Sequence, residues 1–225
     1  MTYPTFDHEN ELWQKGYKYV AGVDEVGRGC FAGPVVAAAV VLPPGFDETD
    51  EINDSKLLSA KKREKLAAII KQHALAYAIG EISVEVINHI GIGRAAQQAF
   101  SKALLSLSRV PDFILSDAFL IHGFAPHIQK PIIHGDRLSV SIAAASIIAK
   151  VYRDKLMQTL HHRFPVYDFA TNKGYGTKKH REVIGTHGLC DLHRTSFNLQ
   201  RFLPPDNLSR PRQSGAHGHE TANVS

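Results

Sequence analysis

The chain has 225 residues, 44% of them hydrophobic and 21% charged, with a formal net charge of +4; this is an ordinary composition for one large globular domain with at most a small appendage. No stretch of the sequence approaches the roughly 20 apolar residues of a membrane span. The acidic opening MTYPTFDHENELWQ lacks a secretory pattern, and Cys30 and Cys190 stand too far apart for a zinc motif or a disulfide framework, so a cytoplasmic protein with no membrane partner is expected.

Taken in chain order, Tyr19 to Val23 and Val35 to Leu42 read as buried strands rich in Val and Ala. Between them Gly27, Arg28, Gly29, Gly33 and Pro34 suggest a hairpin-like return. Asp24 and Glu25 close the first strand, where a buried carboxylate needs a metal or a basic partner. Successive strand side chains point to opposite faces, so both acids serve one site only if the strand ends or bulges there. A surface loop with Asp47 to Asp54 leads through Ser55, Lys56 and Leu57 to a helix from about Ala60 to Ala74. Ala76 to Ile82 reads as a third strand, broken or bent at Gly80. Ser83 can cap a short helix through Ile90, and Gly91-Ile92-Gly93 separates it from a stronger one over Arg94 to Ser108. In that helix Ala96, Ala99, Phe100, Ala103, Leu104 and Leu107 fall at core spacing. Asp112 to Ser116 is a strand that delivers Asp117, and Pro131 to His134 is another that delivers Asp136. Ser139 to Arg163 is the longest helical stretch, Thr171 to Thr177 a Gly-rich basic loop, and Thr177 the cap of a helix to about Ile184. From Pro204 the chain is polar enough to be disordered. The pattern predicts an α/β fold: a five-stranded mixed sheet with an antiparallel and a parallel part, the last two strands each set off by a helix.

Asp24, Glu25, Asp117 and Asp136 therefore all sit at or just beyond strand ends, where open α/β sheets form their sites. Each alone could be an ordinary loop-forming Asp. Together they would repel unless cations joined them, and an all-carboxylate set suits Mg2+ or Mn2+ better than zinc. A pair of such ions about 3.5–4 Å apart is the usual clamp for phosphodiester hydrolysis and needs no nucleophilic side chain. Residues 150–201 carry ten Lys or Arg against four Asp or Glu, which suits a polyanion, although a solvated basic face has the same composition.

At this point the residues resemble a known family. GVDEVGRG (22–29) with AGPVVAAAV (32–40) is similar to the opening signature of the type 2 ribonucleases H, ribonuclease HII. The likeness continues in order through Asn53 to Lys56, LSDA (115–118), HGD (134–136), SIAAASIIAKVYRD (141–154), NKGYGT (172–177) and HGxxxxHRxSF (187–197). It covers roughly residues 17–203. It implies a ribonuclease H-like core over about 17–163 and a small helical C-terminal part over about 164–203 that meets substrate. The implied activity is endonucleolytic cleavage of RNA in RNA–DNA hybrids and at single ribonucleotides in duplex DNA, leaving 5′-phosphate and 3′-hydroxyl ends. Asp24, Glu25, Asp117 and Asp136 match the family's catalytic acids. Gly27, Arg28 and Gly29 match the motif that senses the 2′-hydroxyl, the group that separates RNA from DNA, and Tyr175 matches the tyrosine that packs on the junction sugar. Lys56, Ser146, Lys150, Lys173, Lys178 and Arg194 are candidate phosphate contacts; Ser146 and Lys150 lie four apart on one helix and so share a face.

Two departures are visible. Leu57 stands where a second lysine is common, and Ala118 where a glycine often follows the third acid. Arg28, in place of the threonine of the sister type ribonuclease HIII, and the short run before the first strand favour HII. The expectation is a monomeric ribonuclease HII using two Mg2+ or Mn2+ ions on ribonucleotide-containing duplexes. A different nuclease of this fold, such as a resolvase, and a non-catalytic hybrid-binding module are the rival readings.

Overall fold

The computed structural model describes residues 3–47, 52, 55 and 58–204. Asn53, Asp54, Lys56, Leu57 and the tail beyond Pro204 lie outside the described residues. A helix for which the sequence reading had no element opens the structure: α1, Asp7–Gln14. Its Glu9 is buried, with Oε1 accepting from Ser139 Oγ at 2.6 Å and from Ser141 N at 2.9 Å.

Next come β1 (Val20–Val26) and β2 (Val35–Val41), then α2 (Ala60–His73) and β3 (Ala76–Ile82), near the predicted bounds. β1, β2 and β3 are consecutive antiparallel neighbours. β3 is continuous through Gly80, contrary to the expected break. The glycine is needed for a different reason: a Cβ there would lie 2.1 Å from Ala99 O, so its absence lets a helix backbone lie on the strand. α3 (Val84–Ile90) starts at Ser83, whose hydroxyl accepts from Val86 N at 3.4 Å. Gly91 ends it at φ 81°, and α4 (Ile92–Leu105) begins at once.

β4 (Phe113–Asp117) and β5 (Gln129–Ile132) then pair parallel on the other side of β1, giving the order β3-β2-β1-β4-β5. The two were expected to be set off by a helix; instead residues 118–128 cross over with only a 3-10 turn at Pro126–Ile128. After a second 3-10 turn at Gly135–Arg137, α5 (Val140–His161) runs back across β1 and β2, capped by Ser139. β2 is buried on both faces: Val36, Ala38 and Val40 join the cluster with α2 and α5, while Val35, Ala37, Ala39 and Val41 join the cluster with α3 and α4. Such a strand reads as a continuous apolar run, which explains the sequence VVAAAVV.

α6 (Phe169–Asn172) and α7 (Lys178–His187) form a smaller apolar cluster with Ala32, Met157, Tyr167, Phe169 and Ile184. This cluster sits against the loop joining β1 to β2, since Ala32 bridges His193. Among the described residues no helix is long and apolar enough to cross a membrane.

Candidate active site

Strand alternation decides which acids share a face. Val23 of β1 packs with the α4 cluster, so Asp24 turns to the α5 face and Glu25 to the α4 face. On β4, Leu115 packs with Ile142 of α5, which puts Asp117 on the same face as Asp24. β1 does not end or bulge at the acids as expected; its pairing with β2 continues through Val26. Its pairing with β4 stops at Val23–Ser116, so Asp24 and Glu25 extend past that neighbour and both reach the same sheet edge. Asp136 joins from the turn before α5, tied in by Gly135 N, which donates to Asp117 Oδ1 at 2.8 Å.

Asp24 is only 6% exposed and its Oδ1 accepts from Glu25 N at 2.7 Å. Burial holds its carboxyl well above the usual carboxylate range; Glu25, Asp117 and Asp136 push the same way, and the Ser146 hydroxyl partly offsets them. Glu25 is likewise raised, first by burial, while Arg28 Nη1, 3.6 Å from Glu25 Oε1, pulls it down. The donor set is therefore all-carboxylate and partly desolvated, with like charges crowded around Asp24. That is the chemistry of a hard, oxygen-ligated cation. Among the described residues no three His, Cys, Asp or Glu form a group able to hold a metal as they stand. Asp24 and Asp117 are turned to backbone N–H groups and Glu25 to Arg28, so closing around an ion needs rotation of these side chains.

Two loops flank the acids. Gly27 has φ 88°, and a Cβ there would lie 2.2 Å from Arg153 Nε, so both backbone and space call for glycine. Arg28 reaches out over the Phe119 ring, 4.7 Å from its centroid. Gly29 borders open space. In the second loop Tyr175 is exposed, with Lys150 Nζ 5.9 Å from its ring centroid. Burial of its hydroxyl end, with Cys30 beside it, pushes the phenol up to about 12.

A family model for ribonuclease HII matches residues 21–200. The chain is 52% identical to the ribonuclease HII of Syntrophus aciditrophicus over 200 residues, 88% of this chain and 93% of that one. It is 52% identical to that of Listeria monocytogenes serotype 4b over 190 residues, 84% and 72% of the two chains. The crystal structure of ribonuclease H2 from Pyrococcus horikoshii superposes with a TM-score of 0.65 at 25% identity, covering 81% of this chain and 95% of that one. The chain belongs to the ribonuclease HII family. It is a ribonuclease H with the ribonuclease H-like fold, as the sequence motifs implied.

The remaining expected site residues of this ribonuclease H divide unevenly. Ser146 is buried, its hydroxyl 2.9 Å from Ser55 Oγ and within reach of Asp24, so it faces the acids rather than an open groove. Lys150 does border the groove, but its Nζ is held by Asp154 Oδ1 at 2.6 Å, with Arg63 Nη2 3.6 Å from the other oxygen. Lys173 turns its ammonium to Ala170 O, and burial lowers its pKa. Lys178 is in solvent, 3.9 Å from Glu182. Lys56 lies outside the described residues. Arg194 needs a correction. It is fully buried, and its guanidinium donates to Gly33 O, Arg28 O and Pro34 O at 2.8–3.1 Å, leaving nothing for a phosphate.

Four participants escaped the sequence reading. Arg153 is fully buried and donates to Pro34 O, Lys173 O and Ala32 O at 2.8–3.1 Å, joining the GRG loop to the tyrosine loop. Asp154 and Arg63 tether Lys150's surroundings, and Phe119 carries Arg28. The one available signal was the IIAKVYRD motif itself, which holds Lys150, Arg153 and Asp154 on a single helix face. Ala118, where the family often has glycine, sits at φ 63°. That left-handed conformation is the reason glycine is common there.

Proposed function

We propose that this ribonuclease H cuts at single ribonucleotides embedded in duplex DNA as well as in RNA–DNA hybrids, with two Mg2+ or Mn2+ ions held by Asp24, Glu25, Asp117 and Asp136. The observation that carries the reading is the meeting of these four acids at one sheet edge, flanked by the Arg28 loop and by Tyr175. The ions would activate water and stabilise the charge that develops on the scissile phosphate.

The chain's own residues supply the rest. Asp24 and Asp117 share the α5 face and would be the central ligands. Ser146 orients Asp24 through its hydroxyl. Gly27 sets the turn against Arg153, and Gly29 leaves the β1–β2 loop backbone open to a ribose, where a 2′-hydroxyl can both donate and accept. Arg28, half-exposed and held between Glu25 and Phe119, is positioned to fork onto a phosphate. Tyr175 offers its ring to the sugar at the junction. Lys150 and Lys173, on the basic side of the groove, meet the backbone after exchanging their present partners. Residues 164–203 then act as a substrate-binding part attached to a core over about 17–163. Hydrolysis leaves 5′-phosphate and 3′-hydroxyl ends, and the enzyme acts as a cytoplasmic monomer in ribonucleotide removal.

The test is cleavage of a duplex carrying one ribonucleotide beside an all-DNA duplex of the same sequence, with Mg2+, with Mn2+ and with chelator. Cutting confined to the ribonucleotide strand and abolished by chelator is expected. Equal cutting of both duplexes, or none with either metal, would sink the proposal.

A further inference from the structure

Outside the acids, the most unusual polar cluster is wholly buried. His180 of α7 and His193 are 0% and 1% exposed, with Nε2 atoms 3.0 Å apart. Around them stand the rings of Phe31, Tyr167 and Phe169, the closest being Tyr167, 4.8 Å from His193. Neither histidine reaches the acids or a solvent-lined groove, and the reaction proposed above uses neither.

The contacts fix which nitrogen carries each proton. Cys190 N donates to His193 Nδ1 at 2.9 Å, which makes that nitrogen an acceptor; the thiol Sγ at 3.2 Å can also donate to it, and the carbonyl O, at 3.3 Å, accepts from His193 N instead. In a neutral imidazole the other nitrogen is then the donor. His193 Nε2–H therefore donates to His180 Nε2, which leaves His180 Nδ1–H to donate to Tyr175 O at 2.8 Å. The chain of bonds has a single direction, and it ends on the backbone of the residue assigned to the junction sugar.

That ending belongs to a wider pattern. Lys173, Gly174 and Tyr175 are the turn that presents the tyrosine, with φ of 52° and 84° at the first two. Each of their three carbonyls is claimed. Lys173 O accepts from Arg153 Nη1 at 2.8 Å; Gly174 O accepts from Phe31 N and Ala32 N at 2.8 and 3.2 Å; Tyr175 O accepts from Thr177 N at 2.8 Å and from His180. The first two clamps tie the turn to the loop after Gly27-Arg28-Gly29. His180 is the only side chain holding the tyrosine's own peptide among these bonds. One face of the ring remains exposed while its hydroxyl end sits beside Cys30, so its aim is set by that contact together with its backbone.

We propose that His180, with its tautomer set by His193, is a positioning residue for Tyr175 and thereby for cleavage at the ribonucleotide junction. This rests on the reading of Tyr175 as the junction contact. Asparagine and glutamine separate the two nitrogens of His180, because an Asn amide replaces Nδ1 and a Gln amide replaces Nε2. H180N keeps the donor to Tyr175 O; H180Q keeps the contact with His193 and loses that donor.

The experiment is single-turnover cleavage of the single-ribonucleotide duplex by wild type, H180N, H180Q, Y175A and H180Q/Y175A, each with its thermal midpoint. H180Q is expected to slow junction cleavage roughly tenfold, the scale of one lost hydrogen bond, with H180N within about threefold of wild type. H180Q is expected to add nothing in the Y175A background, as coupled residues do. Wild-type rates for H180Q, additive losses in the double variant, or H180N falling with H180Q would each overturn the proposal. Wild-type rates for Y175A would overturn it through the tyrosine's role, whereas an impaired Y175A with normal H180Q overturns it at His180 alone. Should H180Q not fold, nitrogen-15 NMR of the unmodified protein decides: Nδ1–H on His180 and Nε2–H on His193 are expected, and the opposite tautomer on either breaks the chain of bonds.

Discussion

At the edge formed by β1 and β4, Asp24 is buried, and Glu25, Asp117 and Asp136 all act to raise its pKa. Arg153 and Arg194 are buried as well, yet every guanidinium nitrogen of both has a backbone carbonyl. The arginines complete their hydrogen bonding inside the protein, so their charge holds loops in place. The acids instead crowd like charge at one edge, each raising the pKa of Asp24, and such a concentration of carboxylates suits a cation. Burying charge can thus serve architecture or chemistry, and the partners tell which.

The sharpest way to break this contrast is to neutralise one member of each set. Asp24→Asn should lower cleavage of the single-ribonucleotide duplex by about a thousandfold, the scale of removing a main electrostatic stabiliser. It should leave the thermal midpoint equal or higher, because a costly buried charge is gone. Asp117→Asn should behave alike in activity. Substantial cleavage by either would remove that residue from the metal site.

Arg153→Met should show the reverse. Ala32 O, Lys173 O and Pro34 O each lose a charged donor, Pro34 O keeping only Arg194 and Lys173 O only the Cys30 thiol, which costs about 3–5 kcal/mol of folding stability measured by urea unfolding. A variant as stable as wild type would mean that water or a neighbour satisfies those carbonyls and that the arginine is not the link between the two loops.

The difference between the two sets also explains what could be read in advance. The acids were legible because each follows an apolar run, and a carboxylate at the end of a core strand is out of place by composition alone. The five strands and the mixed sheet were legible from the apolar runs, whereas the spatial order β3-β2-β1-β4-β5 is set by pairing that the spacing does not state. The arginines were not legible, since Arg194 in HRTSF and Lys173 in NKGYG look like any basic groove residue. Whether a cation faces phosphate or carbonyl depends on tertiary contacts more than a hundred residues apart in sequence, as in Arg194 to Gly33. For the same reason α1 went unseen: its anchor is Glu9, a polar residue buried only because Ser139 and Ser141 meet it.

The histidine pair offers a smaller, pH-dependent test of the saturated region. Burial depresses His193 to about 3, with His180 beside it adding to the shift, and lowers His180 as well. A histidine with a depressed folded pKa binds its proton more readily when unfolded, so its contribution to stability is present above the unfolded value of about 6.5. It is lost progressively as pH falls from there toward 3. Between pH 6.5 and 4.5 the urea-derived stability of wild type should therefore fall by about 1.4 kcal/mol per pH unit more than that of His193→Gln. Parallel curves would show that the imidazole is already solvated.

Phe119 is where the two kinds of region meet. Its exposed ring carries Arg28, which is also drawn to Glu25 at 3.6 Å, so the guanidinium is shared between an aromatic shelf and the acids. Without the ring, the nearest attraction left to Arg28 among these contacts is Glu25, which would pull it inward and away from a phosphate. A cation–π contact at such a half-exposed site is worth about 0.5–1 kcal/mol. Phe119→Ala should therefore raise KM for the ribonucleotide duplex by roughly two- to fivefold, with kcat nearly unchanged and folding stability within about 0.5 kcal/mol of wild type. The salt dependence of binding should flatten at the same time, because a phosphate contact by Arg28 is weakened. An unchanged KM with an unchanged salt slope would mean that Arg28 holds its phosphate without the shelf, and the ring would then count among the ordinary exposed aromatics of the surface.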